Sequence, residues 1–290
     1  MKYNKIKSFT LIEMLAVIII IGILASVIFF STNDAFEQQK KMEVLNLSIG
    51  LKNKNLDSLV SEWTFDGPTP AGSAATNSDV RDSWGYNHGD ITGHAPTVRE
   101  GEDCVSEKCL EFDGTNYVEL GNIGNLKKFT FSFWVNPFEL NVDSNNNYRL
   151  IITSSTSYFV LIEQAGGVSF RIPGVTTANF VAGKVPINKF TFVTCMYNQQ
   201  YRTIYVNGVK VGEENIGSGT PNLGNINLLY PYNGVYAFKG RLDSIRVYDS
   251  ALSISEIKQN YIAGLDSLLE NGAISKKEYN KRLLNLAKND

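Results

Sequence analysis

The chain has 290 residues, 43% hydrophobic and 19% charged, enough for one sizeable globular domain plus a further helix. Its formal charge is −2, and no Lys/Arg cluster is interleaved with aromatics, which argues against nucleic-acid binding. Three cysteines and two histidines give little material for a thiol or metal centre.

The first element is a membrane segment. Lys2, Lys5 and Lys7 precede an apolar run from Met14 to Phe30, and no basic residue follows until Lys40. The positive-inside bias therefore places the leader in the cytoplasm and the rest outside. From Phe9 to Phe30 a helix reaches about 33 Å, enough to span a bilayer. Glu13 stands near its start, where a carboxylate in hydrocarbon costs roughly 2.5–3.5 kcal/mol and calls for a partner. An uncleaved anchor or a secretory signal peptide is the alternative, although Ala25-Ser26-Val27 is a poor small-x-small cleavage site. Apolar positions at Phe36, Met42, Leu45 and Ile49 extend one helix face, so a single helix is predicted over 9–50. Residues 51–58 form a linker.

From 59 onward short strand-like runs alternate with Gly, Asn, Pro and Ser punctuation. They include Leu59–Phe65, Cys109–Phe112, Tyr117–Leu120, Phe129–Asn136, Tyr148–Ile152, Tyr158–Gln164, Val168–Ile172, Thr191–Asn198, Thr203–Val206 and Arg241–Tyr248. Phe129, Phe131, Phe133 and Val135 alternate with Thr130, Ser132 and Trp134, the period of two expected of a packed strand. Asn207-Gly208 is the strongest hairpin signal. About a dozen such strands with no long helix between them predict an antiparallel sandwich of the jelly-roll kind. Cys104 and Cys109, five apart and outside the cytoplasm, favour a local disulfide, whereas Cys195 lies in a strand pattern as a small buried hydrophobe.

The tail is helical. Ser253-Ile254-Ser255-Glu256 is a capping box for a short helix to about Ile262. Leu265–Glu270, a break at Asn271-Gly272, and a second box at Ser275-Lys276-Lys277-Glu278 give a helical hairpin over 264–290. This tail resembles C-terminal hairpins of the SHOCT type. Too short to bury a core alone, it needs cover from the sandwich or a partner. The fold class is thus α+β by content: a long N-terminal helix, an antiparallel β-sandwich over 59–263, and a short C-terminal helical hairpin.

Two resemblances add function. Lys7-Ser8-Phe9-Thr10-Leu11-Ile12-Glu13 followed by the apolar run resembles the signature of type IV prepilins and pseudopilins. It implies that a prepilin peptidase cuts between Ser8 and Phe9 and that Phe9 becomes a methylated N-terminus. Glu13 would then pair with the N-terminus of a neighbouring subunit during assembly. Ser8 stands where the family usually has Gly. Residues 1–8 are then a cytoplasmic leader, and the precursor is a single-pass protein of the cytoplasmic membrane with its head outside, in a cell-surface filament or the periplasm after assembly.

The second resemblance covers roughly Leu59 to Ala263. Trp63-Thr64-Phe65-Asp66, Asp82-Ser83-Trp84-Gly85-Tyr86-Asn87-His88-Gly89, Leu110-Glu111-Phe112-Asp113-Gly114, Tyr205-Val206-Asn207-Gly208 and Gly240 to Tyr248 stand in the order of the laminin-G-like, concanavalin A-like jelly rolls. The likeness implies a calcium site at Asp66, Asp82, Asn87 and Asp243, although relatives often carry two acidic residues where this chain has Asp243-Ser244. The same Asp and Asn residues also suit turns. Trp84, Tyr86, Tyr230, Tyr232 and Tyr236 are placed to stack on a sugar or to close the core.

No paired-carboxylate strand motif and no nucleophile elbow is present, and His88 and His94 are loop residues, so the head is not expected to be an enzyme. The expectation is a pilin-like or pseudopilin filament subunit displaying a lectin-like head for adhesion to a glycan or extracellular-matrix ligand. The alternatives are a structural pseudopilin of a secretion or DNA-uptake machine with no ligand, and a membrane-tethered binding protein that never polymerises.

Overall fold

The computed structural model describes Leu11, Ile12, Met14, Leu15 and residues 17–21, 56–140, 148–154, 157–229 and 238–289. The described N-terminal residues are helical. Ser8, Phe9, Glu13, most of the helix 9–50, most of the linker, and Tyr230, Tyr232 and Tyr236 lie outside the described residues. Among the described residues no helix is long and apolar enough to cross a membrane.

Fifteen strands and two helices follow among the described residues. The first strands are β1 (Leu59–Trp63), β2 (Asp90–Ile91), β3 (Thr97–Glu100), β4 (Lys108–Asp113) and β5 (Val118–Asn122). Next come β6 (Phe129–Pro137), β7 (Tyr148–Ser154), β8 (Ser157–Glu163), β9 (Val168–Ile172) and β10 (Thr176–Ala182). The last are β11 (Thr191–Tyr197), β12 (Tyr201–Val206), β13 (Val209–Asn215), β14 (Asn225–Leu228) and β15 (Lys239–Tyr248). Helices α1 (Ile254–Glu270) and α2 (Lys276–Lys288) close the chain.

The strands make two sheets, and every pairing is antiparallel. One runs β13-β12-β11-β6-β15-β4-β3, with β1 also paired to β15; the other runs β10-β9-β8-β7-β14-β5-β2. The long β15 is shared end to end: Leu242 and its predecessors pair with β4, while Ile245 to Tyr248 pair with β1. Asn207 and Gly208 both adopt positive φ in the turn between β12 and β13, as a tight hairpin requires.

The sandwich core lies between the sheets. Phe129, Phe131 and Phe133 of β6 pack there with Phe159, Phe170, Val193, Tyr197 and Ile245. Ring pairs such as Phe131–Phe159, 4.8 Å apart and edge-on, tie one sheet to the other. Yet all nine residues of β6 and all seven of β11 are buried, which one covered face cannot explain. The second face is covered by α1 and α2. Trp134, Phe192, Met196 and Tyr205 form a separate apolar cluster with Ile257, Tyr261, Leu265, Leu268, Leu283 and Leu286. Trp134 stacks on Tyr261 at 5.7 Å and lies 5.2 Å from Phe192. Polar residues on this face are tied down too: Thr130 Oγ1 donates to the Ser250 carbonyl and accepts from Leu252 N–H.

Two details of the tail differ from the sequence reading. A break near Ile262 is expected, but Ile254–Glu270 is one continuous helix crossing the anticipated boundary at 263/264. Gly264 is no helix breaker: a Cβ there would meet three indole atoms of Trp134 at 2.5–2.6 Å, so its absence lets the helix backbone rest on the ring. The box at Ser253 forms in both directions, Ser253 Oγ accepting from Glu256 N–H and Glu256 Oε2 from Ser253 N–H. At Ser275 only the first half forms, because Glu278 is drawn to Lys189 and Arg282 instead.

Gly264→Ala is expected to destabilise the protein by roughly 1–3 kcal/mol, the range for overpacking. At a solvent-facing helix position the same change stabilises by about 1 kcal/mol. Urea unfolding checks the sign, and a gain in stability would contradict the close approach to Trp134.

Candidate functional site

The four residues implied for calcium fall at two stations. At the first, Asp82 opens the loop Asp82 to Gly89 and organises it through backbone donors. Its Oδ1 accepts from the N–H groups of Glu62, Trp84 and Gly85 at 2.8–3.0 Å, and its Oδ2 accepts from Asn87 N–H at 3.0 Å. Burial alone would raise the carboxyl's pKa, but these four donors together hold it below the ordinary value. Asn87 is anchored in turn: its Nδ2 donates to Ser61 Oγ, and its carbonyl accepts from the indole N–H of Trp63. His88 Nδ1 accepts from Asp82 N–H at 3.2 Å, which requires the ring tautomer with a bare Nδ1. The result is a tight loop that presents Trp84, 47% exposed, and Tyr86, 94% exposed, to solvent.

At the second station Asp243 lies fully buried in β15, at a shift of register between β15 and β6. Its Oδ2 accepts from Val105 and Ser106 N–H at 2.8 and 2.9 Å. Its Oδ1 lies 2.8 Å from Ser106 Oγ and 3.1 Å from Ser244 Oγ. Asp66 approaches the same serine: its Oδ1 lies 3.3 Å from Ser106 Oγ and accepts from Lys108 N–H at 2.8 Å. Ser106 has one hydroxyl proton for the two carboxylates, and its shorter approach is to Asp243. Burial pushes the Asp243 carboxyl up to about 7, against its donors, and Asp66 adds to the rise. Burial raises Asp66 as well.

The donors come from the loop between Cys104 and Cys109, which form the expected disulfide with Cα atoms 5.4 Å apart. Asn271, in the turn between α1 and α2, donates to the Val105 and Ser106 carbonyls. The loop is therefore held from both sides, its N–H groups by Asp243 and its C=O groups by the helical hairpin. Ser106 was not singled out in the sequence and Asn271 only as the break between the helices; the signal was a serine inside a short cysteine loop and a polar residue at a helix end. Cys195 is buried within the sandwich core, where desolvation drives its thiol pKa far up and leaves it a hydrophobe.

Calcium needs several oxygens converging on one point. Among the described residues the His, Cys, Asp and Glu side chains that converge are Cys104, Cys109 and Asp243, and the two sulfurs are bonded to each other. Asp82 and Asp243 instead face N–H donors, which favour a carboxylate but repel a cation.

The Asp243 geometry has a pH consequence. Its folded pKa lies above the ordinary 3.8, so between about pH 4 and 7 the folded state keeps a proton that the unfolded state has released. That contribution is complete below pH 4 and lost as pH rises through 7. The stability difference between wild type and Asp243→Asn is therefore expected to shift against the wild type across this window. Urea unfolding at several pH values measures it, and a wild type that gains on the variant would contradict the assignment.

Comparison with known proteins places this geometry in context. The binding domain of Paraclostridial Mosquitocidal Protein 1 is 19% identical with a TM-score of 0.56, over 73% of this chain and 54% of that one. The botulinum neurotoxin serotype D binding domain is 17% identical with a TM-score of 0.55, over 73% and 53%. A mutant of Trypanosoma rangeli sialidase displaying trans-sialidase activity is 11% identical with a TM-score of 0.53, over 73% and 34%. The chain thus spans about half or less of these molecules, and the likeness is one of fold. Comparison with curated protein sequences gives no match. The prokaryotic N-terminal methylation motif matches residues 3–29, marking a pilin-like N-terminus of the kind processed by prepilin peptidase. The model of the concanavalin A-like lectin/glucanases superfamily matches residues 112–258, half of the chain, so the protein belongs to that superfamily and joins its domain to a type IV pilin-like N-terminal motif.

Proposed function

We propose that the protein is a type IV pilin-like filament subunit that displays its lectin-like head outside the cell for adhesion or recognition. The observation that carries this reading is the presence, in one chain, of the methylation motif at residues 3–29 and a concanavalin A-like domain. The roles follow from chemistry. Cleavage between Ser8 and Phe9 exposes a new amine, and Glu13, four residues on, offers a carboxylate to a neighbour's amine in a medium where neither charge is tolerated alone. The apolar helix then moves from bilayer to filament core without exposing its surface to water.

The head acts by binding, not by catalysis. Glu111, the acid closest to a candidate catalytic pair, is held by Arg99 and Arg241 at 2.7 and 2.8 Å, and both arginines keep it ionised against the effect of burial. Its companion Asp113 bonds its own turn at Thr115. The rigid Asp82 loop, with Trp84 and Tyr86 exposed on it, offers two rings for stacking against a sugar face.

Glu13→Ala tests the assembly role. Membrane insertion is expected to persist while the subunit is lost, about tenfold or more, from filaments sheared off the native cell, a change equivalent to about 1.4 kcal/mol. Normal incorporation of the variant would remove Glu13 from the account.

A further inference from the structure

A groove of about 770 Å³ runs between α2 and the turns before β11 and after β12, within the size range of roughly 300–1,000 Å³ seen for ligand sites. Lys189, Lys277, Lys281, Arg282 and Lys288 line it, against the single carboxylate of Glu278. In a chain of net charge −2 this is a local inversion of sign. Glu278 is already shared, accepting from Lys189 Nζ at 2.6 Å and Arg282 Nε at 3.0 Å. Lys277, Lys281 and Lys288 are exposed and make no ion pair among the described residues.

The fold gains little from these lysines. Lys277 lies in the first turn of α2, where the helix dipole disfavours a cation, and it stands four residues from the like-charged Lys281. Only Lys288, in the last turn, has a favourable position in the helix. Arg282, by contrast, is built in: it is buried, with Nη1 donating to the Phe190 carbonyl. Asn207 and Asn285 also line the groove; Asn207 Oδ1 accepts from Phe192 N–H at 3.0 Å, which leaves its Nδ2 as a donor, and Asn285 is exposed. Amides suit hydroxyl groups, which both donate and accept, whereas ammonium groups suit carboxylate or sulfate.

We propose that this groove binds an acidic oligosaccharide, its anionic groups on Lys277, Lys281 and Lys288 and its hydroxyls on Asn207 Nδ2 and Asn285. The proposal deepens the recognition role given above and rests on it, but places the ligand on the hairpin side of the head rather than at the Trp84 loop. A flat anionic membrane would need the charge but neither the concavity nor the amides.

The test uses full-length protein in non-ionic detergent, with fluorescence anisotropy against oligogalacturonate, a heparin-derived oligosaccharide and neutral dextran. The first two arms separate carboxylate from sulfate as the preferred anion. One or both are expected to bind, more weakly as salt rises from about 0.05 to 0.5 M, where screening shortens the reach of exposed charges. Lys277→Gln/Lys281→Gln/Lys288→Gln should keep its melting temperature and bind about tenfold or more weakly, equivalent to about 1.4 kcal/mol. Lys127→Gln/Lys128→Gln, which removes exposed charge outside the groove, should bind as wild type. Undiminished binding by the triple variant would overturn the proposal, as would capture by anionic phosphatidylglycerol vesicles with neither acidic glycan bound. If dextran binds wild type and triple variant equally while the acidic probes do not bind, glycan recognition survives and the groove does not. If no glycan binds, both fall.

Discussion

The sheet containing β6 and β11 must be buried on both faces, and the rest of the head follows from that constraint. One face is closed by the opposing sheet and the other by the C-terminal hairpin through Trp134, Phe192 and Tyr261. An antiparallel sheet ordinarily leaves one side wet. Here the wet side carries Trp134, Phe192 and Tyr205, so α1 and α2 are part of the folding unit rather than an appendage. The groove beside α2 exists because the hairpin lies on the sheet, and its basic lining comes from α2 and from Lys189 in the loop before β11.

The junction of hairpin and sandwich is a second consequence. The disulfide-closed loop around Ser106 is bonded to Asp243 in the sheet and to Asn271 in the hairpin turn. A buried carboxyl, a short cross-link and a helix end thus fix one another. This gives Asp243 a role that needs no cation: it satisfies loop N–H groups that burial would otherwise leave unpaired.

Much of this was legible in the sequence. Alternation in β6 and the Asn207-Gly208 turn encode local geometry directly, and both appear as expected. Strands such as β10, largely exposed, and β14, reading Asn-Ile-Asn-Leu, lack that signal because an edge or a short polar strand buries too little to force a pattern. The helix was expected to end near Ile262 because what holds it through Gly264, the Trp134 ring, is 130 positions away in the chain. The partners of Asp82 and Asp243 were not legible, since motif order does not fix where lone pairs point. Cys104 and Cys109 were readable because a short separation outside the cytoplasm favours a local disulfide.

The N-terminal motif and the sandwich meet in the proposed function, in which processing releases a helix for assembly and the filament shows the head to its surroundings. Everything downstream depends on the first event. Mass spectrometry of the N-terminal peptide from protein made in its native cell tests it most directly. The account predicts a peptide that begins at Phe9 and carries one added methyl group. A peptide that still contains Met1 to Ser8 would contradict it and leave a concanavalin A-like domain on an ordinary membrane anchor.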